Sequence, residues 1–152
     1  RAFDIEIPIN NKIKKKEKDL RVKNFYDIYH NKISELIKVK KKRYEKLFLI
    51  SIHSFTKKDC NFNRGIEVGL LWNKNMNLLL HIQSRLLECG VHYGRNYPYS
   101  GFHFNYTLDK HSQNGLLDNI AIEIRNDLIN NKKGIKKYTE IFSQIFKELI
   151  NG

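Results

Sequence analysis

An α/β fold, in which a mostly parallel or mixed sheet carries helices on both faces, is what this sequence predicts, and three observations support it. Residues 46–52 form a nearly unbroken apolar run, too short for a helix and without strand alternation, as in a strand buried on both faces. Residues 119–128 hold a second strand pattern. Amphipathic stretches lie before, between and after these two, and strands alternating with helices argue for an α/β sandwich.

The elements follow in order. Residues 1–8 alternate apolar and charged side chains like a strand already under way, so a preceding segment is expected and the 152 residues are read as the C-terminal portion of a single domain. A lysine-rich loop runs to about Asp19. From there to about Lys42, Leu20, Phe25, Ile28, Tyr29, Ile33, Leu36 and Ile37 recur at helical spacings, and lysines crowd the carboxyl end as the helix dipole prefers. After the buried strand, a loop with Asp59, Asn61, Asn63 and Gly65 leads to a short strand at 68–72. Residues 77–89 read as a helix stopped by Gly90. Residues 91–95 suit another strand, and the stretch from Pro98 to Gly115 reads as a long irregular loop, a place where function often sits. The closing helix, 136–150, has Tyr138, Ile141, Phe142, Ile145, Phe146 and Leu149 on its apolar side.

Composition narrows the function. Twenty-eight Lys and Arg against sixteen Asp and Glu give a formal charge of +12, so an anionic partner has to be weighed. The excess is mostly lysine, at 12–18, 38–46 and 132–137, and accompanies an abundance of Asn and Ile. Specific nucleic-acid readers favour Arg with interleaved aromatics, so these lysines read as solvated surface and no specific nucleic-acid partner is expected. A non-catalytic basic module binding nucleic acid or another polyanion is the alternative. No apolar run approaches the roughly 18 residues of a membrane span, and no membrane partner is expected. Cys60 and Cys89 form no CxxC pair and suit a reducing cytoplasm.

Two elements carry chemistry. In the strand 120–125, Ile120, Ile122 and Ile124 share one face while Ala121, Glu123 and Arg125 share the other. A carboxylate and a guanidinium in an apolar strand are costly to bury unless paired or used. Glu123 either serves a reaction or pairs with Arg125, and a neighbour such as Asp127 is a further partner. His53 follows the strand ending at Ile52, beyond the carboxyl end where open α/β sheets collect ligands; it is either a satisfied polar residue or a metal ligand.

Taken together, the run from Ile50 to Thr56 around His53, then Arg64, Gly69 and Leu70, then Asn96 to Gly101, then Ile122 to Ile129, resembles the N-formylglutamate amidohydrolase family in order and spacing. Tyr26 to His30 fits the same resemblance. More distantly, the His53 and Glu123 segments resemble the zinc carboxypeptidases. The resemblance implies zinc-dependent hydrolysis of the amide of an N-acyl amino acid, such as N-formyl-L-glutamate. His53 would be a zinc ligand, with the others expected upstream of Arg1, and Glu123 the general base. Arg64 or Arg125 would hold a substrate carboxylate or the oxyanion, and Asn96, Tyr99 and Ser100 would orient the substrate. His111 fits the pattern without a role. With part of the metal site missing, the chain as given is expected to be inactive. Lys57 replaces a usual proline, and Arg95, Asn96 and Tyr97 replace an acidic stretch; both departures bear on substrate preference more than on fold.

Overall fold

The computed structural model describes residues 8–59 and 62–152, which fall into two units, Arg1–Arg43 and Tyr44–Gly152. The strand predicted at 1–8 lies outside the described residues except for Pro8, which opens a 3-10 turn, Pro8–Asn10. In the first unit, helix α1 (Lys15–Arg21) continues through a π-helical turn, Val22–Asp27, into α2 (Ile28–Lys41). Part of the predicted lysine loop is thus helix, because Lys and Glu are good helix formers and Glu17 pairs with Arg21 one turn on, at 2.6 Å. His30 lies against Tyr26 and Tyr29, with ring centroids 4.2 and 5.0 Å apart.

The second unit is built on a sheet of β1 (Phe48–Phe55), β4 (Val68–Leu71), β5 (Tyr93–Arg95) and β6 (Asp118–Arg125), in the order β1-β6-β4-β5. A small hairpin, β2 (Lys58–Asp59) with β3 (Phe62–Asn63), stands apart from it. Strands β1 and β6 are parallel neighbours, as are β4 and β5, but β4 runs antiparallel to β6, so the sheet is mixed. β6 is an interior strand. β1 is not: among the described residues it forms the sheet's edge, and Ile52 is 57% exposed. An apolar run reports that a strand is hydrophobic, and cannot report whether both sides of it are covered.

Helices lie on both faces. Ile120, Ile122 and Ile124 of β6, with Val68 and Leu70 of β4, pack against α3 (Asn77–Glu88) and α6 (Lys132–Asn151). On the opposite face, Leu71 and Ala121 meet Leu108 of α5 (Tyr106–His111). Gly90 ends α3 as predicted: at φ 65° it lets its own N–H and that of Val91 return to the carbonyls of Leu87 and Leu86. The long loop expected after Pro98 is instead a bend followed by two short helices, α4 (Gly101–Phe104) and α5. Ser100 starts the first through its Oγ, which accepts from the Phe102 N–H at 3.3 Å. No described helix is long and apolar enough to cross a membrane.

Candidate active site

The parallel pairing of β1 and β6 sets His53 directly beside Glu123, and on the other flank of Glu123 the antiparallel pairing sets Gly69. Register partners send their side chains to the same face, so imidazole and carboxylate project side by side at the carboxyl ends of two parallel strands. Glu123 is 9% exposed, and its Oε2 is shut off from solvent with no hydrogen-bond partner among the described residues. Burial pushes its carboxyl above the usual range, and the adjacent His53 partly offsets that. Buried carboxylates are normally satisfied, so an unsatisfied one beside an exposed imidazole is a place for chemistry.

Pairing with Arg125 does not explain Glu123. The Arg125 Nε donates to Asp127 Oδ1 at 2.7 Å, and its Nη1 donates to the carbonyls of Arg64 and Ile66. Asp127 resists protonation in consequence: burial would raise its pKa, but the Arg125 hydrogen bond and charge hold it below the ordinary value. Arg125 therefore ties the loop before β4 to the end of β6.

Arg64 lies on the same face as Glu123, 5% exposed. Its Nη1 meets the Thr56 carbonyl at 3.2 Å, Thr56 Oγ1 at 3.3 Å and the Tyr99 hydroxyl at 3.2 Å, and its Nη2 meets Asp59 Oδ2 at 2.8 Å. Burial works against its charge, but the Tyr99 and Asp59 contacts outweigh that and raise its pKa. The guanidinium lies over the Tyr99 ring, 5.1 Å from the centroid, and over Phe55 at 5.9 Å.

Asn96 and Ser100 are turned to the backbone. Asn96 Oδ1 accepts from the N–H of Trp72 at 3.0 Å and of Gly101 at 2.9 Å, which fastens the bend to β4. Ser100 caps α4, and His111 is buried in α5. Of the sequence candidates, the structure thus pairs His53 with Glu123 by strand register and Arg64 with Tyr99 by a hydrogen bond. It adds Thr56 and Asp59 as anchors of Arg64, and Gly69 as the floor beside Glu123. A Cβ on Gly69 would meet the Tyr97 carbonyl oxygen at 2.6 Å and Glu123 Cβ at 3.3 Å, so only glycine lets the bend lie this close. A lone glycine in a strand of buried residues was the available signal.

An exposed imidazole nitrogen is a donor of the kind zinc takes. Among the described residues no three His, Cys, Asp or Glu side chains come together as a complete metal site.

Fold and site define an α/β protein with an imidazole and a buried carboxylate side by side toward the strand ends of a mixed sheet. The chain belongs to the N-formylglutamate amidohydrolase family, whose pattern it matches over residues 1–130. It is similar to the crystal structure of a gene product from Agrobacterium tumefaciens, with a TM-score of 0.86 and 27% identity over 98% of this chain and 61% of that one. It shares its fold with N-formylglutamate amidohydrolase from Ralstonia eutropha, with a TM-score of 0.69 and 17% identity over 90% of this chain and 55% of that one. The chain spans less than two thirds of the length of either protein. No curated protein matches it. The lysines of the three clusters lie on exposed surface.

Proposed function

We propose that this chain supplies the base and one metal ligand of an enzyme that hydrolyses the amide of an N-acyl amino acid, with N-formyl-L-glutamate as the representative substrate. The observation that carries this reading is the register pair of His53 and Glu123, with Glu123 Oε2 buried and unsatisfied. Glu123 takes a proton from the attacking water and delivers it to the departing amine; its raised pKa suits a group that must both accept and release a proton. His53 would hold zinc, together with ligands from outside the described residues. When bound, zinc supplies Lewis acidity toward the amide carbonyl and the water.

Two variants in the complete polypeptide test this. Glu123→Gln keeps the shape but cannot accept the proton, so turnover should fall by about 10² to 10⁴ while zinc stays bound. His53→Ala should lose zinc and activity together. A folded, zinc-loaded Glu123→Gln protein with near-normal turnover ends the assignment of the base. An undiminished zinc content in His53→Ala ends that of the ligand.

A further inference from the structure

Tyr99 brackets the strip of sheet from which Glu123 and His53 project. Its ring packs against the cluster of Leu71, Leu108 and Ala121, and Ala121 lies one alternation before Glu123 on β6. Its hydroxyl meets Arg64, whose guanidinium lies over Phe55, one alternation beyond His53 on β1. The phenol oxygen is therefore held on the reacting face, near the end where the strands open.

Hydrogen-bond accounting then fixes its role. A guanidinium only donates, so its contact consumes a lone pair of the Tyr99 oxygen and leaves the phenolic proton to be given elsewhere. Among the described residues no protein group accepts that proton. Arg64 itself is held in place: Asp59 and Thr56 engage the same two Nη atoms, and its Nε is buried without a partner. Donation from a charged group into a hydroxyl oxygen also strengthens the bond that the hydroxyl makes in turn.

We propose that Tyr99 donates its hydroxyl proton as a hydrogen bond to the carbonyl oxygen of the amide under attack, and that Arg64, anchored by Asp59, is the positioning residue that fixes this donor. The proposal rests on the amidohydrolase reading above. Water oxygen adds to the carbonyl carbon as Glu123 takes the water's proton, and the C=O π pair moves onto the carbonyl oxygen. Tyr99 stabilises that oxygen while keeping its own proton covalently bound. The pair returns as the C–N bond breaks, the proton on Glu123 passes to the amine nitrogen, and a carboxylic acid and a free amino acid leave. A donor aimed at the charge developing in the transition state acts on kcat more than on KM.

The test uses the complete polypeptide and N-formyl-L-glutamate. Tyr99→Phe keeps the ring and removes only the donor, so kcat should fall by about 10² to 10³ with KM little changed. Arg64→Lys should lower kcat in the same way, and the double variant should be no worse than Tyr99→Phe alone, because Arg64 acts through Tyr99. Should Arg64→Lys fail to fold, Asp59→Asn, at a half-exposed position, takes its place in the same cycle. A raised KM with unchanged kcat in Tyr99→Phe would overturn the proposal, as would kinetics equal to wild type or additive losses in the double variant. Glu123→Gln measured alongside keeps the two readings apart. If it loses turnover while Tyr99→Phe does not, the donor is wrong and the base stands; if wild type hydrolyses no N-acyl amino acid, both fall.

Discussion

The two faces of β6 are built from alternate residues of one strand and do opposite things. Toward α3 and α6, Ile120, Ile122 and Ile124 are packed away in the larger core. Toward the site, Ala121 is packed but Glu123 keeps an unsatisfied oxygen, and Arg125 is spent on Asp127 and two carbonyls. The difference shows how a short unit hosts a costly group. Dense apolar burial behind the strand offsets a carboxylate desolvated in front of it, and a single residue's shift along the chain separates the two tasks.

Three substitutions probe that contrast. The largest stability effect belongs behind the strand: Ile122→Ala, at a fully buried position, should destabilise by about 2 to 5 kcal/mol while the remaining folded protein keeps its turnover. Chemical denaturation with activity per folded molecule measures both, and a loss of activity without a loss of stability would mean that the faces are not independent.

A smaller effect comes from the tie between α6 and the sheet. Burial pushes the Glu67 carboxyl up, but the His92 N–H at 3.1 Å, Lys137 and the Tyr138 hydroxyl at 3.1 Å together hold it below its ordinary value of 4.5. A carboxylate with a lowered folded pKa adds stability above the unfolded value and loses it as pH falls through the folded one. Wild type should therefore exceed Glu67→Gln by about 1 kcal/mol at neutral pH. The gap should close below pH 4.5. A gap that does not vary with acid would leave the carboxylate's charge without a role.

The smallest effect has the opposite sign. In metal-free protein Glu123→Gln should raise the melting temperature slightly, since a neutral amide costs less to bury than a partnerless carboxylate. Had Glu123 been paired with Arg125, the same change would have cost some 3 to 5 kcal/mol. A clear drop in melting temperature would point to a partner for Glu123 after all.

Much of this was legible in sequence for identifiable reasons. Alternation in 120–125 assigned each side chain of β6 to its face, and an apolar run ending at Ile52 placed His53 just past a strand, whereas β1 continues through it to Phe55. Their adjacency needed only the further expectation of parallel pairing, which the register of His53 with Glu123 meets. What stayed hidden depends on contacts without a period. Tyr99 and Arg64 are 35 residues apart and meet through side chains alone. Helices α4 and α5 are too short to show periodicity and form around the Ser100 cap and the burial of Leu108. Asn96 and Ser100 were legible as polar residues on a bend, but no pattern says whether such groups face a ligand or nearby N–H groups.

The pairing of β1 with β6 also sets a timetable. Helices α3 and α6 are local structures, able to form within microseconds, whereas every register pair from Phe48 with Asp118 to Phe55 with Arg125 joins residues far apart in sequence. Such contacts reward the chain only after a long loop has closed, so parallel strands distant in sequence are slow to zip together. During refolding, helical signal should therefore precede the meeting of His53 and Glu123.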